Sequence, residues 1–158
     1  LSIGDMQYPH NIFGLWSVSE LEAIGIYEVT VDNTNLKDQN YYTNTTITYA
    51  YDSGAATGSY DTATAKDLDQ LKDRHKESIN REAYSSLQDS DGLVVRAAEG
   101  GTVVPSAWTT YRAAVRTKSN DMEALIDAAS NVDALAALYV FSGDPATRPL
   151  GDWPSKPE

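Results

Sequence analysis

Leu68, Leu71, His75, Ile79, Ala83 and Leu87 recur at three- and four-residue steps, the spacing that puts side chains on one face of an α-helix. Thr64 and Asp67 stand just ahead as N-terminal caps. The pattern predicts a helix from about Ala65 to Leu87. Its apolar stripe is narrow and holds few large side chains, which suits a seam against one partner more than the centre of a core. Charges of alternating sign between Lys66 and Glu82 mark the opposite, solvated face.

The residues before this helix have a different grammar. Ser17-Val18-Ser19-Glu20 is a capping box, so a short helix is expected over Val18–Ile24, stopped by Gly25. Ile26–Val31 is rich in β-branched residues and reads as a strand. Ile47, Tyr49 and Tyr51 alternate with Thr48 and Ala50. Asp52-Ser53-Gly54 is a turn, and Ala56–Tyr60 is its weak hairpin partner. Seven of the ten tyrosines precede residue 61, and tyrosine gives a β surface large contact area at low entropic cost.

After the long helix, Gln88–Thr102 reads as a polar connector holding a short Leu93-Val94-Val95 segment. Pro105 opens a helical stretch with Val104, Trp108, Tyr111 and Val115 on its apolar edge. Cap signals at Asn120-Asp121 and Ser130-Asn131 divide it into helices near 105–118, 121–129 and 131–141. From Ser142 the chain is rich in Pro and Gly and is expected to be extended. The fold class is therefore α+β. A small β-rich, Tyr-rich domain occupies 1–64. A helical domain with a Pro-rich tail occupies 65–158.

Few chemistries fit these residues. The chain has no cysteine, which removes thiolate catalysis, disulfides and zinc–thiolate sites. His10 and His75 are isolated, without the four-residue spacing of a helical metal pair. No serine sits in a Gly-x-Ser-x-Gly elbow, and Gly100-Gly101-Thr102 has neither the lysine nor the spacing of a phosphate loop. Asp89-Ser90-Asp91-Gly92 is followed by Leu93, Val94 and Val95, so it reads as a turn or cap and not a calcium loop. Net charge −11 disfavours nucleic acid, and the longest apolar run, Ala134–Phe141, is too short to span a bilayer. The expectation is a non-enzymatic protein with no cofactor or metal, no nucleic-acid partner and no membrane insertion. Residues 1–64 hold one basic and eight acidic groups, net −7, whereas 65–119 hold nine and eight, net +1.

One discontinuous string remains. Arg81, Ser90-Asp91, Arg96, Glu99 and Val104-Pro105 lead to Trp108-Thr-Thr-Tyr111-Arg112-Ala-Ala-Val115-Arg116, and the chain closes with Trp153-Pro154-Ser155-Lys156-Pro157. Together these resemble the phage tail assembly chaperone, or tail-fibre assembly, family over about residues 79–116 and 149–157. Residues 8–31 more loosely resemble the leader domain often joined to such segments. Gly92 stands where that family has a tryptophan, and Thr117–Thr147 adds capped helix suited to a docking element that stays in the particle. The resemblance implies a bacteriophage tail or tail-fibre protein located in the virion tail, or in host cytoplasm during assembly. It would bind another tail protein or further copies of itself, a trimer being one arrangement. Trp108, Tyr111, Arg112, Arg116, Trp153 and Pro154 are the expected interface, tryptophan, tyrosine and arginine being the types most enriched at binding hot spots. Trp108 and Tyr111 equally suit pinning this helix on the 65–87 helix, and Arg112 and Arg116 suit pairing with Asp89, Asp91 or Glu99 or with a partner. The alternative is a receptor-binding module at the tail tip.

Overall fold

A computed structural model describes residues 1–157. The fold is α+β, and the chain separates into two compact units, Leu1–Thr64 and Ala65–Glu158.

The first unit starts with a small antiparallel hairpin, β1 (Ser2–Ile3) and β2 (Met6–Gln7). One helical turn, α1 (Ile12–Leu15), buries Ile12. The capping box forms as expected. Ser17 N–H donates to Glu20 Oε2 (2.8 Å), Glu20 N–H donates to Ser17 Oγ (3.4 Å), and α2 spans Val18–Glu22. The Ser17 N–H and the Ser17 Oγ–H (2.7 Å) both donate to Glu20 Oε2, favour the ionised carboxyl and hold it below the ordinary carboxylate range. The chain leaves α2 at Gly25, whose N–H donates to Glu22 O while Ile26 N–H donates to Leu21 O.

A three-stranded sheet follows, in the order β3 (Val29–Asp32), β6 (Ala55–Tyr60), β5 (Ile47–Asp52). β5 and β6 form the expected hairpin. Its two-residue loop, Ser53-Gly54, has positive φ at both positions, the geometry matched to strand twist. The strand that looked weak lies in the middle. Its Gly58 leaves room for its neighbours, since a Cβ there would meet Ile47 Cδ1 at 2.8 Å and Tyr49 at 3.1 Å. β3 joins β6 in parallel, pairing Val29 with Ala56. β4 (Tyr42–Thr43) lies between β3 and β5 in sequence, and β7 (Thr64–Ala65) marks the join to the second unit.

The second unit is built on two long helices, α3 (Leu68–Gln88) and α5 (Ser106–Ala128). Asp67 caps α3 by accepting from Gln70 N–H (2.8 Å). Near the start of α3, Lys72 Nζ donates to Asp127 O and Lys76 Nζ pairs with Asp127 Oδ1, both at 2.9 Å. Near its end, Leu87 O accepts from Arg112. The two helices are therefore antiparallel, and the two lysines sit at the electronegative end of α5.

Three sequence expectations are corrected. The α3 stripe is not left open for a partner. Leu71, Ile79 and Ala83 are buried, and α5 supplies the matching row: Tyr111, Val115, Ser119, Met122 and Ile126. That same row keeps α5 continuous through the cap signal at Asn120-Asp121, because burial of Met122 and Ile126 outweighs a local exit. The connector after α3 is itself helical. Ser90 begins α4 (Asp91–Ala98), and Gly100 (φ +85) ends it, with Gly101 N–H donating to Arg96 O.

A short helix, α6 (Val132–Ala137), is capped by Asn131 Oδ1 and ends earlier than its apolar run predicts. Val132 and Leu135 complete the core. His75 stacks on Tyr139 with ring centroids 4.6 Å apart. Burial, reinforced by Arg74, lowers its pKa below the ordinary 6.5. Above that value the imidazole is neutral folded or unfolded. As pH drops below it, the unfolded chain takes up the proton first, so stability declines until the folded imidazole also protonates. His75→Phe is expected to flatten this acid-side slope in melting curves between pH 7 and pH 5. An unchanged slope would rule His75 out as its source.

Candidate functional site

The residues of the discontinuous string converge at the end of the second unit where α3 stops, α4 starts and α5 begins. Arg112 is the hub. Its Nη1 donates to Leu87 O (2.9 Å), Ser90 Oγ (2.6 Å) and Asp91 Oδ1 (2.8 Å). Ser90 Oγ in turn donates to Leu87 O (2.8 Å). Ser90 is fully buried, and the Arg112 side chain is 11% exposed. One guanidinium nitrogen thus ties the last turn of α3, the first turn of α4 and the second turn of α5 into one corner, adding a charged donor to a helix-end carbonyl that also accepts from the Ser90 N–H.

Beside it, Tyr111, Val115 and Ala83 form a buried cluster, with Leu87, Trp108 and Trp153 packed around it. Trp108 meets Tyr111 edge to face, with centroids 5.8 Å apart at 86°, a favourable aromatic arrangement. The C-terminal segment lies across this cluster. Trp153 Nε1 donates to Glu82 Oε2 (2.8 Å), Lys156 Nζ pairs with Asp89 Oδ2 (2.6 Å), and the same ammonium stands 5.7 Å from the Trp108 ring centroid. Further back, Leu150 is fully buried, its N–H donating to Leu138 O and its carbonyl accepting from Lys118 Nζ, both at 3.0 Å. The Pro-rich tail is a strap anchored at Leu150, Trp153 and Lys156.

The six expected interface residues therefore have different surroundings. Tyr111 is buried, and Arg112 points inward. Trp108 and Trp153 are half-buried and engaged within the chain. Pro154 is half-buried and lines a shallow notch with Lys118 and Asp121. Arg116 alone is exposed. Arg112 holds Asp91, while Asp89 is taken by Lys156. Glu82 looks like an ordinary acid of a solvated helix face in the sequence and Asp89 like part of a turn; nothing local marks either as an anchor of the strap.

Among the described residues, no three His, Asp or Glu side chains are grouped to hold a metal ion, and no helix is long and apolar enough to cross a membrane. Comparison with protein-family models, curated proteins and solved structures finds no match.

Proposed function

We propose that this chain is a non-enzymatic bacteriophage tail or tail-fibre protein that works by docking another tail component. It would act as a part retained in the virion or as an assembly factor in the host cytoplasm. The observation that carries the reading is the convergence of Ser90-Asp91, Trp108–Arg112 and Trp153-Pro154 on one corner. Segments far apart in the sequence, joined only by their resemblance to the tail-assembly family, act as one structural unit. Because that unit is largely turned inward, its role is to fix a rigid platform. Contact with partners falls to exposed residues around it, Arg116 first.

A second reading, a receptor-binding module at the tail tip, is favoured by the exposed Tyr49 and Tyr51 on β5. The two readings part on experiment. Cross-linking mass spectrometry on purified particles and on infected-cell extracts is expected to join this chain to a tail or fibre protein through α4 or α5. Cross-links confined to residues 1–64 and host surface material would favour the receptor-binding reading. Absence from particles and from every tail-assembly complex would overturn both.

A further inference from the structure

Two solvent-facing notches, one in each unit, combine apolar lining with a charged rim, and the two rims have opposite sign. In the helical unit the notch, about 230 Å³, is lined by Val94, Val104, Thr109, Arg112 and Arg116. Thr109, Arg112 and Arg116 share one face of α5 at i, i+3 and i+7. The Arg112 charge is used inward on Asp91. Arg116 is exposed, and among the described residues no ion pair engages it. Val103, beside the notch, is 81% exposed.

In the first unit the notch, about 290 Å³, is lined by Phe13, Val18, Leu21, Ile26, Tyr27 and Glu28. Phe13 is 60% and Val18 54% exposed. Glu28 stands in the lining, and Glu22 is exposed at the end of α2, next in the chain to the lining residue Leu21. This unit holds a single basic residue, Lys37, against eight acids.

We propose that these notches are the two halves of one contact between copies of this chain: the Phe13/Val18 edge of one copy docks against the Val94/Val104 notch of the next, with Arg116 facing Glu22 and Glu28. The proposal rests on the docking reading above and supplies its partner. A second copy is the occupant because both complementary halves, apolar floor and opposite charge, belong to the same chain. Large side chains left in water on both sides are covered together, and the charge pattern fixes which half meets which. Different patches meet in such a contact, so it is heterologous and builds rings or open stacks.

Sedimentation velocity of the full chain tests it. The mass is expected to rise with protein concentration and to fall back as salt screens the charges. Thr109→Glu/Arg116→Glu and, separately, Glu22→Arg/Glu28→Arg should each weaken association by about tenfold or more. An equimolar mixture of the two variants should recover it, which a folding defect in either would not allow. A wild-type chain that stays monomeric, variants that associate like wild type, or a mixture no better than its parts would each overturn the proposal. A monomer that still cross-links to a tail protein would sink the self-contact and leave the docking reading standing. Self-association without any tail partner would do the reverse.

Discussion

Arg112→Ala is expected to lower the stability of the helical unit by about 2–4 kcal/mol, the range for breaking a part-buried charged network. The loss is not mainly the ion pair. Asp91 is half in water, and an exposed carboxylate regains most of its solvation when its partner leaves. The larger share comes from the buried end of the network. Ser90 is fully buried, and Leu87 O at the end of α3 keeps only the Ser90 N–H and Oγ–H once the guanidinium is gone. Without the guanidinium, the hydroxyl of Ser90 loses its donor and only its own bond to Leu87 O remains. The Arg112 side chain is also only 11% exposed and lines the notch with Val94 and Val104, so truncation removes buried stem as well as charge. Asp91→Ala should therefore cost about 1 kcal/mol or less. Arg112→Lys should fall between the two, because one ammonium cannot reproduce the planar fork. Urea unfolding followed by helical circular dichroism measures all three at constant m-value. Equal losses for Arg112→Ala and Asp91→Ala would mean that the ion pair, not the buried end, carries the corner.

What was legible beforehand divides by range. The Ser17/Glu20 box, the Gly25 stop, the Ser53-Gly54 hairpin and the Asn131 cap are local chemistry, and each appears where its residues stand. α4 is not legible although its stop signal, Gly100-Gly101, stands in the sequence, because Gly92 and the polar flanks mask a helix of eight residues. The cap at Asn120-Asp121 was a sound local signal overruled by a nonlocal fact, the need of Met122 and Ile126 to stay against α3. The α3 stripe revealed a face but not what covers it. Recognising α5 as the cover required extending its row past Val115 through Ser119, which is polar yet buried. The parallel union of β3 with β6 pairs residues separated by twenty-seven positions, and no local pattern specifies such a register. At the candidate site, Ser90, Asp91 and Arg112 were grouped in advance by the resemblance. The strap's closing motif belongs to the same string, but its attachment is not legible, because Trp153 is held by Glu82 of α3 and Lys156 by Asp89 at the end of that helix.

The strap gives the second large effect. Leu150→Ala is expected to cost about 2–4 kcal/mol, the usual range for truncating a fully buried leucine. A segment rich in Pro and Gly supplies no helix or sheet of its own, so its position depends on a few anchors. Leu150 is the only one of them that is fully buried. Its backbone is clamped from both sides, by Leu138 O on its amide and Lys118 Nζ on its carbonyl. Gly151 is tied to the same clamp, since a Cβ there would collide with the Lys118 ammonium and its φ is +75. The other anchors lie nearer to water. The Trp153–Glu82 and Lys156–Asp89 contacts are exposed, and such bonds are worth about 1 kcal/mol or less each. Removing Leu150's side chain should thus loosen the strap as a whole, releasing Trp153 from the Ala83–Tyr111–Val115 cluster. The expected signature is a red shift of tryptophan emission in Leu150→Ala at temperatures where the helical signal is still native. Trp153→Phe, which loses only the indole donor and some area, should cost about 1 kcal/mol and leave the strap's protection from protease intact. If Leu150→Ala costs less than about 1 kcal/mol and leaves emission and proteolysis unchanged, the tail is held by its surface contacts and Leu150 is not its anchor.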